Sequence, residues 1–233
     1  MIPWLERHEP FPPVELALQD PNGLLAAGGD LSTARLLDAY GRGIFPWFSG
    51  DDPLLWWSPD PRMVLHVQEL HLSRSLRRVM RAGHFRITMD AAFRDVMRGC
   101  AEPRPGQDGT WITPAMVEAY TRLAALGYAH SIEAWVGDRL AGGLYGVAIG
   151  RMFFGESMFA RQTDASKVAF ASLVRQLERW GFELIDCQMA TSHLASLGAR
   201  EIPRDEFLAH VARLVRLPGV PSPWTYDGGD AAA

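Results

Sequence analysis

The stretch that most constrains the fold runs from Ser131 to Phe159. Three β-like segments, Ser131–Val136, Arg139–Ile149 and Met152–Phe159, are separated only by Gly137-Asp138 and Gly150-Arg151. Two-residue connections containing glycine close tight hairpins, so the three segments are expected to form an antiparallel meander. A helical pattern from about Ala165 to Trp180 follows, stopped by Gly181, and then a short strand from Glu183 to Cys187. Meander, helix and strand in that order predict an α+β domain of acyltransferase type.

The first 60 or so residues are of a different kind. FPP at 11, PNGLLAAGGDLS from 21, GIFPWF from 43 and WWSPDPR from 56 are rich in Gly, Pro and Trp. They predict short strands and tight turns around one small helix, about Ser32 to Gly41. Further on, Ser73 caps a predicted helix through about Ala82 and Asp90 another through about Cys100. Thr113-Pro114 opens a third that Gly127 closes. A short helix near His193 and an amphipathic helix from about Arg204 to Arg216 complete the pattern. The expected organisation is a small N-terminal α+β domain over 1–62 and an acyl-transfer domain over 63–233, with a mobile tail after about 218.

Composition excludes several classes. No window approaches the roughly 20 apolar residues of a membrane span, and the N-terminus lacks the layout of a signal peptide, so a cytosolic, membrane-free protein is expected. Cys100 and Cys187 are too few for a disulfide framework, and no Cys/His cluster has zinc spacing. Walker, GxGxxG, GxSxG and HExxH motifs are absent. The loop ARQTDASK ahead of the 165–180 helix lacks the Gly-rich pyrophosphate cradle of CoA-dependent enzymes. No cofactor and no metal are expected, and the protein is expected to be monomeric. The net charge of −4 conceals an asymmetry, because residues 74–104 hold eight arginines against three carboxylates. A basic stripe on an acidic body suits phosphate contact.

Four of those arginines, Arg74, Arg77, Arg78 and Arg81, recur at i, i+3, i+4 and i+7 and so share one helix face, with Leu76, Val79 and Met80 turned inward. The face is either a solvated surface or a phosphate-contacting one. Trp47, Trp56 and Trp57 either fill a small core or offer stacking platforms, and Trp111 in a loop before a helix suits stacking. In FFGESMF, strict alternation sends Phe154, Glu156 and Met158 to one side and Phe153, Gly155, Ser157 and Phe159 to the other. Glu156 in so apolar a strand is either ion-paired or the receptor of a substrate ammonium. In LIDCQ, Asp186 either caps or braces the following turn or, with Gln188 two residues on, forms a proton-handling pair.

Ten fragments in order, PNGLLAAGGDLS, AYGRGIFPWF, WWSPDPR, GTWIT, AHSIEAW, GGLYGV, FFGESMF, ASK, LIDCQ and HLASLGAREIPR, resemble the bacterial leucyl/phenylalanyl-tRNA–protein transferases. The resemblance runs from about Phe11 to Phe207. It implies a small N-terminal domain followed by a GNAT-like acyltransferase domain. It also implies transfer of Leu, Phe or Met from aminoacyl-tRNA onto proteins beginning with Arg or Lys, which marks them for degradation. By resemblance, Asp186 and Gln188 match the catalytic pair and Glu156 the carboxylate near the donor's α-amino group. Trp47, Tyr40 and Trp111 match residues around the terminal adenosine and acceptor site. Phe153, Met158, Phe170 and Ile185 match the apolar pocket wall. Leu144 stands where members often carry Met, Phe170 where some have Leu and Thr191 where some have Asn, which bears on the Leu versus Phe preference. Two-domain Fem-type transferases need a longer chain, and a non-catalytic tRNA-binding module leaves Asp186, Gln188 and Glu156 without a role.

Overall fold

The computed structural model describes residues 2–50, 52–103 and 110–228. Arg104, one of the eight arginines in the basic segment, lies outside them. The N-terminal lobe holds a four-stranded sheet of order β1-β2-β4-β3, built from β1 (Trp4–Leu5), β2 (Leu24–Gly28), β3 (Phe45–Pro46) and β4 (Leu55–Trp57). Its helix α1 (Thr33–Gly41) starts where Ser32 Oγ accepts the Arg35 N–H. That bond satisfies one of the free donors of the first turn.

The rest of the chain builds a seven-stranded sheet of order β11-β5-β10-β9-β8-β7-β6. Its strands are β5 (Arg62–His66), β6 (Arg86–Met89), β7 (Ala129–Val136), β8 (Arg139–Ile149), β9 (Met152–Ala160), β10 (Leu184–Gln188) and β11 (Arg200–Ile202). The meander of β7, β8 and β9 is antiparallel as expected, and β10 returns parallel to β9. Helices α2 (Arg74–Arg81), α3 (Phe93–Ala101), α4 (Pro114–Ala125), α5 (Ala165–Arg179), α6 (Ser192–Ser196) and α7 (Arg204–Leu214) surround it. This is an α+β layout, as expected. Helix α5, almost wholly apolar inward, covers one face, where Leu144, Ala148, Phe153, Phe170 and Ile185 share a core. On the other face Tyr145, Val147, Phe154 and Leu184 join a core continuous with Leu36, Tyr40 and Trp56 of the N-terminal lobe.

Two local expectations are corrected. Strict alternation along FFGESMF fails, because the β8/β9 register slips by one residue: Gly146 pairs with Gly155 and Tyr145 with Ser157. Glu156 has no partner across β8, and beyond it Met158 joins Phe153 on the α5 side while Phe159 joins Phe154 on the other. Asp90 does not cap α3, whose first residue follows Ala92 without a side-chain cap. Its carboxylate instead accepts the backbone N–H groups of Ser131 and Trp224 and pairs with His130 Nδ1 at 2.8 Å. Within the segment after Pro218, expected to be mobile, one side chain is buried. Trp224 is 1% exposed, its indole lying against His130, Trp180 and Phe182.

Close approach fixes the identity of Gly146. A Cβ there would lie 2.4 Å from the Phe154 carbonyl oxygen and 2.5 Å from the Phe153 ring. Gly146→Ala is expected to cost about 1–3 kcal/mol by overpacking. Gly41→Ala, where a Cβ meets nothing within 4 Å at the end of α1, should be neutral or slightly stabilising. Urea midpoints of the two variants check this, and equal midpoints would contradict the packing account.

Candidate functional site

The parallel strands β9 and β10 pair only from Met152/Leu184 to Phe154/Asp186, and beyond that they part. Each carries an irregularity where the parting begins. On β9 it leaves Glu156 unpaired, and on β10 Asp186 faces Val64 while Gln188 faces Met63, leaving Cys187 unpaired. Such bulges bend a strand and re-aim its side chains. Gln188 completes the turn with φ +62. The wedge between the strands opens into a cavity of about 750 Å³, closed from the N-terminal lobe by Phe45 and Trp47.

Of the residues singled out in the sequence, Trp47, Trp111, Leu144, Phe153, Glu156, Met158, Phe170, Ile185, Asp186 and Gln188 all line this cavity, as does Thr191. Tyr40 is brought to the site from behind: it is buried and its hydroxyl donates to Glu156 Oε1 at 2.8 Å. The Tyr120 hydroxyl donates to Glu156 Oε2 at 3.2 Å, the two tyrosine hydroxyls touch, and Gln188 Nε2 donates to Oε1 at 2.8 Å. No cation is paired with Glu156 among the described residues. Burial pushes its carboxyl up to about 8, helped by the Asp186 charge and opposed by the bonds from Tyr40, Tyr120 and Gln188. Burial likewise raises both tyrosines well above their ordinary value, so they remain donors.

Asp186 is fully buried, but it is not a bare carboxylate. Arg62 Nε donates to its Oδ1 at 2.8 Å and Arg62 Nη2 to its Oδ2 at 2.7 Å, and Oδ1 also accepts the Gln188 N–H at 2.8 Å. The guanidinium lies between the Phe45 and Phe207 rings, at 4.7 and 4.6 Å, and Nη1 donates to the Gly43 carbonyl. A carboxylate held by a guanidinium fork has little lone-pair capacity left for a substrate proton. These contacts fit the turn-bracing alternative for Asp186; both residues line the cavity, and the Gln188 amide nitrogen is turned to Glu156. Burial and the Asp186 charge push the Cys187 thiol well above its usual range, which removes its nucleophilicity.

The face carrying Arg74, Arg77, Arg78 and Arg81 is exposed on α2, which packs on α5, whose Ser166 lines the cavity. None of these four is ion-paired among the described residues, whereas Arg94 pairs with Glu118 and Arg98 with Asp95. Sequence reasoning missed Arg62 and Tyr120. Arg62 had a signal, a lone charge opening the apolar run MVL. Tyr120 looks like an ordinary core aromatic until its hydroxyl is located against Glu156. Among the described residues no group of His, Cys, Asp and Glu is arranged to hold a metal ion, and no helix is long and apolar enough to cross a membrane.

Two outcomes follow from these contacts. Arg62→Met should destabilise the fold by about 3–5 kcal/mol by leaving a buried charge unpaired, and Arg62→Met with Asp186→Leu should recover much of that loss. Equal destabilisation of single and double variants in urea melts would count against it. Glu156 takes up its proton near its ordinary value of 4.5 when unfolded and near 8 when folded. The folded state therefore holds the extra proton between those values, and the stability it contributes is complete below the lower one and lost as pH rises through the upper. Glu156→Gln should flatten the fall in Tm from about pH 5 to about pH 8, and an unchanged slope would contradict the raised value.

Residues 64–212 match the model of the leucyl/phenylalanyl-tRNA protein transferase family, and residues 29–60 match the N-terminal domain of the same family. A leucyl/phenylalanyl-tRNA–protein transferase of Thiobacillus denitrificans is 64% identical over 217 residues, spanning 93% of this chain and 95% of that protein. One from Nitrosospira multiformis is 59% identical over 227 residues, spanning 97% of this chain and 98% of its own. Among solved structures, a GCN5-related N-acetyltransferase-like protein from Streptococcus suis covers 73% of this chain and 64% of that one, at 14% identity and a TM-score of 0.33. With both family segments matched in order and identity this high across nearly the whole length, the chain belongs to the leucyl/phenylalanyl-tRNA protein transferases, aminoacyltransferases that act between an aminoacyl-tRNA and a protein.

Proposed function

We propose that this protein moves Leu, Phe or Met from its tRNA onto the N-terminal α-amine of proteins that begin with Arg or Lys, marking them in the cytoplasm for N-degron-dependent degradation. The observation that carries the reading is an apolar cavity in which, among the described residues, Glu156 is the one carboxyl group without a cationic partner, at the point where β9 and β10 part. Leu144, Phe153, Met158, Phe170 and Ile185 receive the donor side chain, and Glu156 receives its α-ammonium. Trp47 and Trp111, half-buried at the cavity, stack on the terminal adenosine. The unpaired arginines of α2 contact tRNA phosphates without reading sequence. The acidic remainder of the chain favours a basic acceptor terminus.

The donor ester is already activated, so amide formation requires no ATP. The acceptor amine attacks the ester carbonyl, the C–N bond forms and the bond to the ribose oxygen breaks. The amine gives up one proton and the departing ribose oxygen gains one. With an ordinary pKa of about 7.7–8.0, part of the amine is already neutral at physiological pH. Gln188 is the catalytic residue of this scheme. Its Nε2 is committed to Glu156, so its Oε1 accepts an amine N–H and aims the lone pair at the carbonyl. Asp186 is a positioning residue that holds the Gln188 backbone while Arg62 holds Asp186. The proton passes to the leaving ribose oxygen through the neighbouring ribose hydroxyl.

The test is purified protein with radiolabelled leucyl-tRNA and a peptide starting with Arg. Transfer should occur, and Gln188→Ala should lower kcat by about 100-fold with leucyl-tRNA affinity nearly kept. Isoleucyl-tRNA should be used at least about tenfold less well than leucyl-tRNA, because branching at Cβ thickens the side chain at the cavity entrance. No transfer to the Arg peptide would sink the acceptor assignment, and normal turnover in Gln188→Ala would sink the mechanism.

A further inference from the structure

We infer that Trp224, in the segment after α7, is a positioning residue that sets the depth of the apolar pocket by fixing the ring of Phe153. This rests on the reading of that pocket as the site of the donor side chain. Phe153 is fully buried in the α5-side core and its ring reaches the cavity. On one side the ring lies over Gly146, close enough that even a methyl group there would collide with it. On another it meets the Trp224 indole, with centroids 6.1 Å apart and planes inclined by 32°. Backbone bounds the ring at Gly146, but at Trp224 it is bounded only by a side chain from the far end of the sequence.

Trp224 can serve as such a stop only if it is itself immobile, and its contacts make it so. Its indole stacks on His130 at 3.5 Å with planes 2° apart, and Trp180 and Phe182 flank it at 5.0 and 6.0 Å. Its backbone N–H donates to Asp90 Oδ2 at 2.7 Å, and the same oxygen contacts His130 Nδ1 at 2.8 Å. Asp90 Oδ1 accepts the Ser131 N–H. One carboxylate thus ties the segment to β7. Three residues on, Gln176 Nε2 of α5 donates to Asp227 Oδ2 at 2.7 Å, a second attachment that straddles the indole. Interiors packed this tightly transmit a change of volume to the next side chain. Emptying the Trp224 slot lets the Phe153 ring retreat and deepens the pocket in the direction a larger donor needs.

The experiment compares phenylalanyl-tRNA with leucyl-tRNA as donors to a peptide beginning with Arg, in Trp224→Ala, Trp224→Phe and Phe153→Leu. Trp224→Ala should shift the ratio of kcat/KM toward phenylalanyl-tRNA by about fivefold or more, mainly through KM. Trp224→Phe, which refills most of the slot and spares the fold, should shift it in the same direction but less. A segment that only stabilises the fold would lower activity with both donors equally and leave the ratio where it was. If Phe153→Leu moves the ratio and neither Trp224 variant does, the inference is overturned and the pocket reading stands. If none of the three moves it, the pocket reading falls and this inference with it.

Discussion

The buried pairing of Arg62 with Asp186 is the interaction on which the rest of the site depends. Removing two charges from water costs several kcal/mol per ion, and such a pair persists only when geometry and further hydrogen bonds offset that cost. Both conditions are met here by groups from separate parts of the chain. The guanidinium takes the Asp186 carboxylate in a two-point fork, gives its remaining contact to Gly43 and is enclosed by Phe45 and Phe207. The N-terminal lobe, β5, β10 and α7 therefore meet at one cation. A lysine would not reproduce this arrangement, since it has neither the fork nor the flat faces.

From that anchor the geometry of the cavity follows. Asp186 holds the Gln188 backbone, Gln188 reaches across the parted strands to Glu156, and Tyr40 and Tyr120 close the network from behind. The chain of contacts runs from an immobile ion pair to a polar group facing the cavity, with no long flexible side chain between. Preorganisation of this kind lowers the reorganisation needed when reactants arrive.

Much of this was legible in the sequence. The two glycine-containing turns announced the meander, and Glu156, Asp186 and Gln188 stood out as polar residues in apolar strands. The order of ten fragments identified the family. What escaped was non-local. Arg62 and Asp186 are 124 residues apart, and no local pattern joins them. The register slip at Glu156 could not be read from alternation, because alternation assumes an unbroken ladder and the slip is what breaks it. Asp90 looked like a helix cap for the same reason: its type suits a cap, but its partners, Ser131, His130 and Trp224, come from distant segments. Nothing local in the Pro- and Gly-rich segment around Trp224 announces that its indole is buried, because His130, Trp180 and Phe182, which receive it, come from other segments.

The elevated proton affinity of Glu156 has a consequence for the charge balance of the empty cavity. With Asp186 paired to Arg62 and the Glu156 carboxyl pushed up to about 8 by burial, the floor of the cavity carries little net charge at neutral pH. An arriving cation would draw the carboxyl group into its ionised form and expel one proton to water, so the cavity would be electroneutral both vacant and filled. Binding would then be an exchange of one cation for another, and its strength would rise with pH only until the arriving amine itself begins to lose its proton.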